Sequence, residues 1–289
     1  MGDVCFFLKL IPPSDKNFMI IQLSIGLLIS AITAVLAWRS KNLSTSGAVS
    51  ATLLGTIVLG LGGWAWGALL YGFFISASAL SKLFGRRKSG LDAAFSKGSQ
   101  RDAGQVIANG GICGAFVLLH LLLPDAEWIW PGFAGTLAAA NADTWGTELG
   151  VLSKRQPRLI TSLKPVPRGT AGAVTLDGTL ASLGGALFIG LLAVLVAPLP
   201  SPVDSAARMM LIALAGLVGA QMDSFFSATV QAMYYCPACD QETEHSETHS
   251  CGTPTVYKRG WRWLNNDLVN LTANLIGGLF AIIAFFAMR

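Results

Sequence analysis

Long apolar runs alternate with short polar ones from Phe18 to the C-terminus. Crossing a hydrocarbon core of about 30 Å takes roughly 20 helical residues. Runs near that length occupy residues 18–38, 47–61, 64–83, 106–123, 131–152, 176–197, 209–233 and 266–288. The pattern predicts an all-α, polytopic integral membrane protein with about eight transmembrane helices. The second run is short and ends at Gly60, Gly62 and Gly63, which suits a tilted, re-entrant or hairpin segment. Residues 1–17 carry Lys9, Pro12, Pro13, Asp15 and Lys16 around a brief apolar run. They read as an interfacial tail, because no small-residue cleavage pattern follows. Residues 18–289 then form a single multi-helix membrane domain, with a Cys/His loop at 234–258.

Composition agrees with that architecture. The chain has 289 residues, 53% of them hydrophobic and 12% charged, against roughly 25% charged in a soluble domain. The basic residues fix an orientation, since cytoplasmic loops carry the excess of Lys and Arg. The loops after the first, third, fifth and seventh segments hold 16 of the 20 Lys and Arg residues. Those four loops are expected in the cytoplasm, both termini outside, and the protein in a cell or plasma membrane. The net charge of +4 is thereby a topological signal that calls for no nucleic-acid partner. Nothing in the sequence specifies an oligomeric state.

Ionisable groups in a membrane helix cost about 2.5 to 3.5 kcal/mol on insertion scales and mark functional sites. Asp143 and Glu148 fall in the cytoplasmic half of the fifth segment, Asp177 opens the sixth, Asp223 lies near the cytoplasmic end of the seventh, and Asp267 opens the eighth. All five therefore gather on one side. Asp177 and Asp267 stand at helix N-termini, where a capping role competes with a functional one. Asp143, Glu148 and Asp223 stand near C-termini, where the helix dipole disfavours an anion, so function explains them better. Asn109, Asn141, Asn266 and Asn270 collect at the same level.

The neighbouring loops add Lys97, Arg101, Lys164 and Arg168 among glycine-rich turns. Carboxylates for Mg²⁺, cations for phosphate oxygens and glycines that bring backbone N–H groups close together suit a polyphosphate with a divalent cation. On this reading Asp143, Glu148 and Asp223 hold Mg²⁺, and Lys97, Arg101, Lys164 and Arg168 hold the phosphates. Asn109, Asn141, Asp177, Asn266 and Asp267 complete the nucleotide-binding group. Pro165 and Pro167 stiffen the KPVPRG stretch into extended backbone, and Gly169 turns the chain back toward the membrane. His120 lies near the outer face and His245 and His249 in a loop, which excludes a histidine-dependent centre among the acids. A transporter would need polar residues at the midplane, whereas the outer halves of segments four, six and eight are almost purely apolar.

The stretches KGSQRDAGQVIANGG from Lys97, NADTWGTELG from Asn141, PRLITSLKPVPRGTAG from Pro157 and RGWRWLNNDLVN from Arg259 resemble the integral-membrane phytyl-phosphate kinase family. The resemblance covers the chain from about Gly47 onward. It implies transfer of a phosphoryl group from a nucleoside triphosphate, CTP being favoured, to an isoprenoid monophosphate such as phytyl phosphate. More distantly, the second and third stretches look like dolichol kinases and CDP-lipid synthases, and GAQMDSFFSATVQ from Gly219 looks like the acidic signature of the latter. The chain departs there in carrying a single carboxylate, Asp223, which argues against a two-metal cytidylyltransferase.

The loop CPACDQETEHSETHSCG supplies Cys236, Cys239, His249 and Cys251, a Cys₃His set for structural Zn²⁺. Disulfide pairing is the competing reading, and a cytoplasmic loop disfavours it. Cys5 and Cys113 have no partner pattern.

Overall fold

A computed structural model describes residues 16–88, 100–197 and 201–288. Among them are eight α-helices: α1 (Lys16–Arg39), α2 (Thr45–Gly55), α3 (Trp64–Lys88), α4 (Ala103–Leu122), α5 (Ile129–Gly150), α6 (Leu176–Val196), α7 (Pro202–Thr229) and α8 (Asn266–Ala287). A π-helical turn, Thr56–Leu61, continues α2. The expected N-terminal tail falls outside the described residues, save that α1 already begins at Lys16.

Local chemistry sets most helix starts. Ser44, Asp102, Thr175, Ser201 and Asn265 each accept a hydrogen bond from the backbone N–H three residues on, satisfying donors that the first turn leaves over. At α7 the Ser201 cap is followed by Pro202 and by Asp204 in the first turn, a favoured order because proline gives up only an orphan N–H there. The helix consequently starts seven residues before the apolar run at Met209.

Among the described residues, six helices are long and apolar enough to cross a membrane by themselves: α1, α3, α4, α6, α7 and α8. The α2 segment with its π turn is shorter, and α5 is held differently. It packs against α3, α4, α6, α7 and α8, and Ile129 to Ala142 are buried without interruption. A helix enclosed by protein needs no apolar surface for lipid, so α5 can carry Asn141, Asp143 and Glu148. Small residues allow the enclosure. A Cβ on Gly216 would lie 2.8 Å from Ala138, and one on Gly277 2.7 Å from the Ala139 methyl. Outward-facing Leu, Ile and Phe on α1, α6 and α8 form the lipid-facing surface.

The two ends of the bundle differ. One end is closed by Trp66, His120, Trp130 and Phe133, with Trp66 4.6 to 5.2 Å from the other three ring centroids. At the other end the basic loops converge: Leu43 bridges Arg101 in a backbone pair, joining the loop after α1 to the loop before α4. Exposed Trp261 and Trp263 stack at 5.5 Å beside the start of α8, a placement suited to a membrane interface.

Two small antiparallel sheets lie in these loops and were not foreseen in the helical pattern. The first pairs β1 (Arg158–Leu159) with β2 (Ala173–Val174). The second, in the order β4–β3–β5, contains β3 (Met233–Cys236), β4 (Gln241–Thr243) and β5 (Val256–Arg259). The stretch ending at Met233 thus stops being helical at Thr229, and Met233 begins a strand. Strands of two to four residues give too little alternation to be seen beside runs of twenty.

Candidate functional site

At the converged end α5 emerges from its dry sleeve, and its last two turns line a cavity of about 330 Å³. Asp143 with Thr147, and Thr144 with Glu148, are four residues apart and so share a helix face. On α7 the lining residues Ala220, Asp223, Ser224 and Ser227 fall at the i, i+3, i+4, i+7 spacing of one stripe. Gln105 and Asn109 from α4, Gly178, Thr179 and Ser182 from α6, Asn266 and Asn270 from α8, Arg101, and the loop from Arg168 to Thr175 add to the wall.

Asp223 is buried, and its Oδ2 has no hydrogen-bond partner. A buried carboxylate oxygen without a partner is costly, and a cation in the cavity would relieve it. Asp143 faces the same space from α5, and Ser81 of α3 donates to Glu148 Oε1 at 2.7 Å. Arg101 is anchored by its backbone N–H to the Asn42 carbonyl at 2.9 Å, with its guanidinium 5.9 Å from the Phe73 ring centre. Burial lowers its pKa to about 10, so it remains a cation at neutral pH. Arg168 is exposed at the mouth, just before Gly169, whose φ of +84° makes the turn toward the membrane. Gly172, at φ +75°, presses on Ala228, leaving no room for a Cβ.

Arg101, Asn109, Asp143, Glu148, Arg168, Asp223 and Asn266 are therefore brought together as the sequence suggested. Others are not. Asn141 is fully buried, accepting from Ser76 Oγ at 3.0 Å and donating to the Gly185 carbonyl at 2.8 Å. It ties α5 to α3 and α6 and does not face the cavity. Asp177 lies on another surface, receiving hydrogen bonds from Ser153 at 2.6 Å and Arg155 at 3.2 Å. Asp267 faces a separate depression with Gln231 and Trp263. The capping alternative at these two positions also resolves: Thr175 and Asn265 are the caps, and the acids occupy the first turns that follow. Lys164 is exposed and absent from the cavity wall, its carbonyl accepting from the Leu159 N–H. Lys97 lies outside the described residues.

One ionisable residue of the cavity wall escaped the sequence reading. Glu244 follows β4 and reaches the wall beside Met233, where Gln231 Nε2 donates to its Oε1 at 2.9 Å. It lines the same cavity as Asp143 and Asp223. Its only signal in sequence was its place inside the Cys/His loop.

In that loop one ligand atom from each of Cys236, Cys239, His249 and Cys251 lies within 4.8 Å of the other three. The Cys236 and Cys251 sulfurs are 3.6 Å apart, far beyond a bond of about 2.05 Å, so the disulfide reading does not describe this arrangement. Hydrogen bonds with Thr253 and His249 hold the Cys251 thiol down to about 5, whereas hydrogen bonding to Cys251 pushes Cys239 up to about 11.

A helical bundle that is closed at one end and opens at the other on carboxylates, amides and arginines defines a polytopic membrane protein with a one-sided polar site. Residues 28–278 match the family described as Integral membrane protein DUF92, and the chain belongs to it. It is similar to Protein PGR of Arabidopsis thaliana, at 34% identity over 91% of this chain and 96% of that protein. An uncharacterized membrane protein of Methanocaldococcus jannaschii is 29% identical over 94% of this chain and 98% of its own length. Protein VTE6, chloroplastic, of Arabidopsis thaliana is 28% identical over 83% of this chain and 65% of that protein. No solved structure matches the chain significantly.

Proposed function

We propose that this protein is a membrane phosphotransferase, moving a phosphoryl group from a nucleoside triphosphate, CTP by the family resemblance, to an isoprenoid monophosphate such as phytyl phosphate. The observation that carries the reading is the joint placement of Asp143 and Asp223, from different helices, with Arg101 and Arg168 on one cavity. Two carboxylates in so confined a space repel each other, and a divalent cation neutralises both. Asp143, Asp223 and Glu148 would hold Mg²⁺, which when bound supplies charge stabilisation to the transferring phosphoryl group. Arg101, fixed by its backbone and by Phe73, holds a phosphate deep in the cavity, and Arg168 holds one at the mouth. In the reaction the bond from phosphorus to the leaving nucleoside diphosphate breaks as an oxygen of the lipid phosphate bonds to that phosphorus. An anionic acceptor brings no proton, so positioning and charge stabilisation suffice and no histidine is required.

The lipid chain has a natural place. An apolar crevice between α1, α2 and α3, lined by Ala34, Ala51, Leu54 and Phe74, shares Arg101, Gln105 and Asn109 with the polar cavity. A phosphate on Arg101 would therefore leave its alkyl tail between helices. The cavity draws on α4, α5, α6, α7 and α8, in keeping with residues 18–289 acting as one domain, and the excess of Lys and Arg in the loops around its mouth favours a cytoplasm-facing site in a cell membrane. Transport is the less favoured reading, since the aromatic closure at the opposite end blocks a continuous polar path. The test is to incubate the purified protein in detergent with phytyl phosphate, Mg²⁺ and each nucleoside triphosphate in turn. Diphosphate formed fastest from CTP supports the reading, and none from any donor defeats it.

A further inference from the structure

We infer that Cys236, Cys239, His249 and Cys251 bind one zinc ion whose role is to hold the three-stranded flap in place, so that Glu244 stands in the cavity beside Asp223. The role for Glu244 rests on the phosphotransfer reading above; the zinc clamp does not.

The ligand set comes first. Tetrahedral zinc with Zn–S of about 2.3 Å and Zn–N of about 2.0 to 2.1 Å places its ligand atoms roughly 3.5 to 3.8 Å apart. Cys236 and Cys251 are separated by 3.6 Å, Cys239 and His249 Nδ1 by 3.5 Å, and His249 Nδ1 and Cys251 by 3.2 Å. His249 is buried, and its other ring nitrogen, Nε2, meets the Gln241 amide at 3.1 Å. Zinc-bound histidines are commonly oriented by such a second contact. Four protein ligands leave no open position, so the ion is structural.

The ion's position in the flap gives it leverage. Cys236 ends β3, Cys239 lies in the turn to β4, and His249 and Cys251 lie between β4 and β5. One ion would therefore tie together both connections of a sheet whose strands are three or four residues long. A sheet that small is marginal without added support. The opposite edge is fastened to the membrane helices. Arg259 of β5 donates to the Ser227 and Ala228 carbonyls at 3.2 and 3.1 Å, at the end of the helix that carries Asp223. Register pairs Tyr234 with Thr243, which brings Glu244, one residue further, level with Met233 and into the wall. Gln231, completely buried, then fixes the carboxylate. If the zinc is lost, β4 is held to β3 only by their connecting turn and a three-residue pairing, and Glu244 can leave the site.

The test uses the full-length protein purified in detergent, zinc quantified by elemental analysis, and Mn²⁺ affinity followed by electron paramagnetic resonance as a reporter of the acid cavity. The expected result is about one zinc per chain in the wild type and in Glu244→Gln, and under about 0.2 in Cys251→Ser. Glu244→Gln and Cys251→Ser should each weaken Mn²⁺ about fivefold, and the double variant no further, because both remove the same carboxylate. A wild type without zinc overturns the inference, as do additive losses in the double variant or unchanged Mn²⁺ affinity in Cys251→Ser. Zinc-loaded wild type that binds no Mn²⁺ overturns the phosphotransfer reading and the role of Glu244 while supporting the clamp. Should Cys251→Ser fail to fold, chelator extraction of zinc from the wild type replaces it, with the same fivefold loss expected and an unchanged affinity counting against the coupling.

Discussion

The two halves of α5 have opposite characters. From Ile129 to Ala142 the helix is fully enclosed, against Trp66, Phe116 and the small residues of α7 and α8. From Asp143 to Gly150 it forms one wall of an open polar cavity. The helix is continuous between them. What changes is its neighbours: small residues bring α7 and α8 against the first half, while the second half keeps α6 on one side, where a Cβ on Gly150 would lie 3.1 Å from the Gly178 Cα, and faces the cavity and its loops on the other. A rigid, dry half thus holds the first turns of the wet half in register, which favours a site needing fixed charge positions.

That contrast can be broken most severely at the acids. Asp143→Asn or Asp223→Asn keeps the side-chain shape and removes the charge, and is expected to lower Mg²⁺-dependent turnover by at least about a thousandfold, or ~4 kcal/mol. The variants should remain folded by gel filtration in detergent. Phe133→Ala attacks the dry half instead, and is expected to cost about 3 kcal/mol of stability. Thermal unfolding in detergent would show it, with turnover per folded molecule little changed. Next comes Arg168→Lys, for which about a tenfold loss of turnover, ~1.4 kcal/mol, is expected because a point charge replaces a planar fork. Smallest is Lys164→Ala: with Lys164 exposed and off the cavity wall, turnover should change by less than about threefold. A large effect there would mean that the loop closes over bound substrate.

The sequence was most legible where one physical requirement dominated. Apolar length located all eight helices, and the expense of charge in lipid singled out Asp143, Glu148 and Asp223, which do share a cavity. It was less legible where partners lie far apart in the chain. Asn141 has the same composition and level as the cavity amides, but Gly185, 44 residues on, and Ser76, 65 residues back, occupy its amide. Glu244 was hidden for the converse reason. An acid in a polar loop attracts no notice until β3 and β4 pair and carry it to Asp223.

The enclosure of α5 also bears on how the chain is made. Its first half is apolar, but Asn141, Asp143 and Glu148 follow within two turns, and it is not among the helices apolar enough to cross alone. During synthesis α3 and α4 precede it, whereas α6, α7 and α8, which complete its sleeve, emerge afterwards. For that interval α5 would rest against the earlier helices with its carboxylates still near water. Its final depth would then be set by the arrival of later helices, so a truncation after Gly150 should strand it at the bilayer surface.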